Sequence, residues 1–274
     1  MIIDNTPVED HRQQYGLLVK REDLCCPPPG PPFSKTRGVY AHVKARPEQV
    51  IGVLDTYHSQ AGHAVAQACD LLGKTCVNYY PNFKHEPGPR EPQHHAMALG
   101  AQLQPLPAGR SAVLYHQAKK DLARIHDSYM MPNALKLPEM VSETAAEVRR
   151  TLSSGALNHI WGTEMPVLIA ISSGTIAAGV IQGFRQADLR PRFILHMGYD
   201  RSQDAVLKYL AGHLGSLEHD YITLVNEGYG YKDVARPGET PPWPCNSHYD
   251  LKAFRWWLRE GRGRWGEALM WNIG

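Results

Sequence analysis

A chain of 274 residues with 43% hydrophobic side chains can bury a large core, which argues against a disordered chain and predicts one large α/β unit or two lobes. The formal charge of +2 is too mild for a concentrated basic face, so charge alone does not imply nucleic acid. Five cysteines (Cys25, Cys26, Cys69, Cys76, Cys245) show neither disulfide-ladder nor zinc spacing, no basic-then-apolar leader opens the chain, and no apolar run reaches the ~20 residues that span a bilayer; the expectation is a cytoplasmic protein with no metal and no membrane contact.

In chain order, residues 17–20 read as a short strand, and 25–32, with five prolines and a glycine, as a non-helical loop that delivers Lys35. Val39 and Val43, four apart, predict a helix from about Thr36, which sets Lys35 at a helix N-terminus, where an amine holds its proton less tightly. Residues 50–54 form an apolar strand, 55–62 a polar turn, 63–72 a helix stopped by Gly73, and 75–80 the next strand. This βαβ unit requires a parallel sheet with a right-handed crossover. A proline-bearing loop over 82–93 precedes a helix over 96–103 that ends at Gly100 and leads into a strand; helices over 112–126 and 142–152 follow. Residues 166–171 read as a buried strand and 176–184 as its helix. Further strands are expected at 192–196, 221–225 and 268–271, and helices at 202–214 and 251–260.

Lys35 is the most informative residue. A deprotonated, desolvated lysine condenses with a carbonyl, and a pyridoxal ring held that way is an electron sink for amino-acid chemistry. Downstream, Ile171-Ser172-Ser173-Gly174-Thr175-Ile176-Ala177-Ala178-Gly179 follows a buried strand and opens a helix. Small residues there let backbone N–H groups close on a phosphate, although an ordinary βα turn reads the same way. Lys84, His85, Arg90, His94 and His95 form a basic stretch that suits either a solvated loop or a guide for a polyanion. Trp256, Trp257, Trp265 and Trp271 read as core or dimer contacts.

Four segments, in order, carry a family resemblance. Val19-Lys20-Arg21-Glu22-Asp23-Leu24 with Ser34-Lys35-Thr36-Arg37 is similar to a Lys-Arg-Glu-Asp-Leu and Asn-Lys-x-Arg pair, and His58-Ser59-Gln60-Ala61-Gly62-His63 to a Gln-Ser-Asn-x-x-Arg turn. Ser172 to Gly179 is similar to a Gly-Ser-Gly-Gly-Thr-x-x-Gly phosphate cup. Gly228-Tyr229-Gly230, Tyr249-Asp250-Leu251-Lys252-Ala253 and the closing residues 266–274 complete the set. The chain thus resembles the fold type II pyridoxal-phosphate enzymes, the tryptophan synthase β family, in the branch of 1-aminocyclopropane-1-carboxylate deaminase and D-cysteine desulfhydrase.

The resemblance implies a two-lobed, parallel-sheet, tryptophan synthase β-like α/β fold, with a large cofactor-binding domain over 1–43 plus 136–274 and a small α/β domain over 44–135. It implies pyridoxal 5'-phosphate as cofactor and a homodimer. Lys35 becomes the Schiff-base lysine, Ser59 lies at the reacting face, Gln60 meets the ring hydroxyl, and Ser172, Ser173, Gly174 and Thr175 hold the phosphate. Asp250 matches an acid that faces the ring nitrogen and keeps it protonated, which makes a stronger sink than the neutral residue of most fold type II enzymes; the alternative is a helix N-cap aspartate. Tyr229 and Tyr249 are candidates for acid–base or ring-stacking work, or else buried hydrogen-bonded tyrosines.

The departures are Gln60 for asparagine, Ser172, Thr175 and Ile176 for two glycines and a threonine, and His63 for arginine. The expected activity is deamination or β/γ-elimination of an amino acid or amine. An alternative is decarboxylation, or other processing, of an amino acid attached to something large, such as a base in viral hypermodified DNA, which would place the protein in the host cytoplasm. A third reading is a non-catalytic binding module on the same fold.

Overall fold

The computed structural model describes residues 1–56, 59–85, 87–107, 109–157 and 165–274. Its elements in chain order are β1 (Val8–His11), α1 (Arg12–Tyr15), β2 (Leu17–Arg21), α2 (Thr36–Ala45), β3 (Val50–Leu54), α3 (Ala61–Leu72), β4 (Thr75–Asn82), α4 (Glu91–Ala98), β5 (Gln102–Pro107) and α5 (Ser111–Leu122). There follow β6 (Ser128–Met130), α6 (Pro138–Ser153), β7 (Val167–Ile171), α7 (Thr175–Gln186), β8 (Arg192–Met197), α8 (Gln203–Leu214), β9 (Tyr221–Val225), α9 (Asp250–Trp256), α10 (Arg262–Trp265) and β10 (Ala268–Asn272). A π-helical turn (Trp257–Gly261) joins α9 to α10.

The chain divides into two compact units, one of residues 1–2 and 26–140, the other of 3–25 and 141–274. Residues 1–2, 26–43 and 136–140, expected with the larger part, group with the smaller one. The reason is packing: Val39 and Val43 of α2 are buried in one core with Ala64, Val65 and Ala68 of α3. The first unit carries a four-stranded parallel sheet in the order β5-β4-β3-β6. Its β3-α3-β4 run is the βαβ unit that the alternation predicts.

The second unit carries a six-stranded sheet in the order β1-β2-β10-β7-β8-β9, parallel apart from the antiparallel β1–β2 pair. All five residues of β7 and of β10 are buried, as expected for central strands covered on both faces. Tyr15, Trp243 and Phe254 meet edge to face in its core, and Trp257 lies buried there with its indole N–H on the Tyr15 carbonyl. Trp256 and Trp271 are also buried.

The charged residues of the Lys20 to Asp23 motif turn out to be internal ties of this unit. Lys20 Nζ, fully buried, donates to Glu147 (2.7 Å) and to the Thr6 carbonyl, and the Thr6 hydroxyl donates to Glu22. Arg21 grips Asp23 with two donors, and Asp23 accepts from the Asn272 amide at the end of β10. Removing one partner of such a buried pair strands the other charge in the interior, so these residues are fixed by the fold.

One expectation needs correction in its bounds, and two strands had none. The helix placed at 96–103 runs over Glu91–Ala98, because Pro92 sits in its first turn, where a missing N–H costs nothing, and the Gln93 side chain accepts from the Arg90 N–H. The short strands β1 and β6 had no sequence expectation: each is too brief to show a period.

Candidate active site

In the first unit, two helices begin at residues of interest. Lys35 occupies the N-cap position of α2, with the Thr36 hydroxyl fastened to the Phe33 carbonyl (2.7 Å). The Lys35 amine lies 5.3 Å from the Phe33 ring centroid and makes no hydrogen bond or ion pair among the described residues. Burial lowers its pKa to about 8. Beside it the Ser34 hydroxyl is buried and finds no partner among the described residues.

Gln60 holds the corresponding N-cap position of α3, and its side chain does not cap the helix. Instead its amide reaches the His63 ring (3.2 Å), while the Ser59 hydroxyl oxygen accepts from the Ala61 N–H (3.0 Å), leaving the Ser59 O–H free to donate. His58 lies outside the described residues. Asp55, which ends the apolar run of β3 and drew no attention in the sequence, is buried under this turn. It accepts from Gln93 (2.8 Å), from Asn78 and from the Thr56 N–H, and burial pushes its pKa up to about 6. A Cβ on Gly62 would collide with Asp55 and Asn78, so the glycine lets the helix start close over them.

In the second unit the candidates gather at the carboxyl ends of parallel strands β7, β8 and β10, where ligands bind in open α/β sheets. After β7, Ser172 to Gly174 turn into α7, with Gly174 at φ +96°, a conformation that favours glycine. The Ser173 hydroxyl pairs with Thr175 Oγ1 (2.9 Å), which pairs in turn with the Tyr209 hydroxyl (2.8 Å); the Arg201 guanidinium donates to the Ser173 carbonyl (3.4 Å). Arg201 and Tyr209 were not legible beforehand, since they belong to the next βα unit. They return a hydroxyl and a positive charge to a turn whose sequence had lost glycines.

After β8, the Gly198 N–H donates to the Ile171 carbonyl (2.9 Å), and the Tyr249 ring packs where a Gly198 side chain would stand. Burial raises the Tyr249 pKa to about 12 against the pull of neighbouring Ser172, so at neutral pH its hydroxyl keeps its proton. Substituting Gly198→Ala drives a methyl into this ring. We expect a loss of about 1–3 kcal/mol in urea unfolding and weaker cofactor binding as Tyr249 leaves Ser172.

Tyr229 is buried, with Lys252 Nζ 4.3 Å and the Arg236 guanidinium 4.8 Å from its ring centroid, and its hydroxyl accepts from the Arg236 N–H. Lys252, 1% exposed, donates to the Gly198 carbonyl (2.5 Å), and burial lowers its pKa to about 8. Asp250 opens α9 but no side chain caps that helix. Its Oδ1 accepts from the Ile273 N–H at the end of β10 (3.0 Å), and its Oδ2 is buried with no hydrogen-bond partner among the described residues. The N-cap alternative therefore falls. Burial pushes this carboxyl up to about 7, against the pull of the Ile273 N–H.

These features fit pyridoxal phosphate. Each unit offers a buried polar atom lacking a partner, Ser34 Oγ and Asp250 Oδ2, and native interiors rarely leave such atoms unsatisfied. Within the first unit an amine of depressed pKa suits the aldehyde of such a cofactor, and within the second a helix start lined by three hydroxyls suits a phosphate. Lys84, His85, His94 and His95 are exposed. Among the described residues no group of three or more His, Cys, Asp or Glu is arranged to hold a metal, and no helix is long and apolar enough to cross a membrane.

No family model matches the chain. The glycyl-dTMP PLP-dependent decarboxylase of Pseudomonas phage M6 is 52% identical over 288 aligned positions, covering all of both proteins. Among solved structures, an ACC deaminase homologue superposes with a TM-score of 0.74 at 18% identity, over 100% of this chain and 90% of its own. The apo diaminopropionate ammonia lyase of Escherichia coli does so with a TM-score of 0.67 at 15% identity, over 99% and 83%. With so similar a relative over its whole length, and on this fold, the chain belongs to the fold type II pyridoxal-phosphate-dependent enzymes.

Proposed function

We propose that the protein releases carbon dioxide from an amino acid, glycine or a near analogue, carried on a thymidine nucleotide. The observation that carries this reading is the full-length similarity to the phage glycyl-dTMP decarboxylase. Of the two reactions expected from the sequence, it favours decarboxylation over deamination.

The bound cofactor supplies the electron sink that takes up the pair left when the carboxylate departs. Lys35 is the amine that would carry it, and its depressed pKa suits it to take and return a proton near neutral pH. Ser172, Ser173, Gly174 and Thr175 grip the phosphate through N–H and hydroxyl donors, steadied by Tyr209 and Arg201. Asp250 Oδ2 would hold a proton at the ring nitrogen, and Gln60 would meet the ring oxygen. Ser59 and Tyr249 donate hydrogen bonds from O–H groups that stay protonated, and Tyr229 fixes Lys252 and Arg236. A homodimer and a nucleic-acid partner in an infected host's cytoplasm belong to the same proposal.

The test is mass spectrometry of glycyl-modified thymidine monophosphate, free and within an oligonucleotide, after incubation with the holoenzyme. The expected product is lighter by carbon dioxide. A product lighter by ammonia would instead support the deaminase reading. Unchanged substrate with cofactor bound would reject both, and failure to bind cofactor would promote the non-catalytic module.

A further inference from the structure

His63 stands where an arginine is usual, and its two ring nitrogens face different partners. Nε2 lies 2.9 Å from the Pro29 carbonyl oxygen, which can only accept, so Nε2 carries a proton. Nδ1 lies 3.2 Å from the Gln60 amide atom placed as Oε1. With the amide oxygen toward Nδ1, both ring nitrogens would have to be protonated and the ring would be a cation. The two ends of an amide have the same shape, and the hydrogen-bond partners decide which is which.

The surroundings oppose a cation. His63 is 3% exposed and makes no ion pair with a carboxylate among the described residues. His95 of α4 stands 5.1 Å away ring to ring, and any charge it gains repels another. His63 also sits in the first turn of α3, at the positive end of that helix. Gln67, one turn on, is neutral, and the prolines 27–29 bring no charge. Asp55, ahead of α3, spends its oxygens on Gln93, Asn78 and the Thr56 N–H. Burial accordingly lowers the His63 pKa.

We propose that His63 is a positioning residue, a neutral imidazole with its proton on Nε2, which draws the Gln60 NH2 onto Nδ1 and leaves the Gln60 carbonyl oxygen as the group offered to a ligand. Gln60 then accepts from a hydroxyl and does not donate to an oxyanion. This rests on the reading above that Gln60 meets the ring oxygen of the cofactor, and it adds that the oxygen is held in its protonated form. Arginine at position 63 would have the opposite effect: a donor there takes the Gln60 oxygen and turns the NH2 outward.

Two measurements decide it. In cofactor-free, 15N-histidine-labelled full-length protein at neutral pH, His63 should show one protonated ring nitrogen, Nε2, and one bare, Nδ1; His63→Gln, or His63→Asn should the first not fold, assigns the signal. Two protonated nitrogens, or a proton on Nδ1 alone, overturns the proposal whether or not cofactor binds. In the holoenzyme, His63→Arg should shift the cofactor absorbance from the near-ultraviolet form with a protonated ring oxygen toward the visible-edge form without it. An unchanged ratio of the two bands overturns the proposal, while a wild type with no cofactor band at all defeats the cofactor reading and leaves the nitrogen measurement to decide the tautomer.

Discussion

Lys35→Ala is expected to reduce turnover by at least about 10³-fold while leaving the protein folded. The amine is without a hydrogen bond or ion pair among the described residues, so its removal strands no partner, and loss of a desolvated amine costs little or nothing in stability. Its pKa near 8 leaves about a tenth of it free at pH 7, against roughly one part in three thousand for an ordinary lysine. Borohydride followed by mass spectrometry should therefore attach the cofactor to wild type and not to Lys35→Ala, although the variant still holds cofactor through the Ser172 to Thr175 turn. Lys35→Arg is the companion variant: it keeps the charge and length but not the nucleophile, and should be as inactive as alanine. A Lys35→Ala protein that remains covalently labelled would move the carrier role to another amine, of which buried Lys252 is the first to check.

The parts of this molecule that announce themselves in sequence are those with a local cause. The loop of prolines before Lys35, the βαβ alternation from Val50 to Tyr80 and the unbroken apolar run of β7 each follow from backbone chemistry within a dozen residues. Lys35 and Asp250 stand out as candidates because a resemblance fixes their spacing to neighbouring motifs. Tyr209, Arg201 and Lys252 do not, because what they do depends on which strand ends lie side by side: Tyr209 reaches Thr175 only because β8 is hydrogen-bonded to β7. Asp55 and the Lys20–Glu147 tie escaped for a related reason. A buried charge looks like a surface charge until its partner, here 127 residues away, is known. The same holds for residues 26–43, whose place with the first unit is set by contacts with α3.

Asp250→Asn separates the chemical role of this carboxyl from its structural cost. The side chain is 1% exposed, one oxygen has no partner among the described residues, and burial pushes its pKa up to about 7 from the ordinary 3.8. In the cofactor-free protein the unfolded chain loses this proton as pH rises past 3.8, while the folded chain keeps it until about 7. Across that window the folded state binds more protons, so the group's contribution to stability is fully present below the lower value and is lost as pH rises to the upper one. The full swing is on the order of 4 kcal/mol. Asparagine cannot ionise, so any cost of its own amide group is the same at every pH. Urea unfolding of the two cofactor-free proteins should show the variant gaining on wild type between pH 4 and 7, then running parallel to it above. A constant difference across that range would mean that the carboxyl is already satisfied. In the holoenzyme the same substitution should cost on the order of 10²-fold or more in turnover, because an amide cannot keep a ring nitrogen protonated. An acid that destabilises the empty protein yet accelerates the loaded one is what a proton-holding partner for a cationic ring requires, and a simple helix cap would show the reverse.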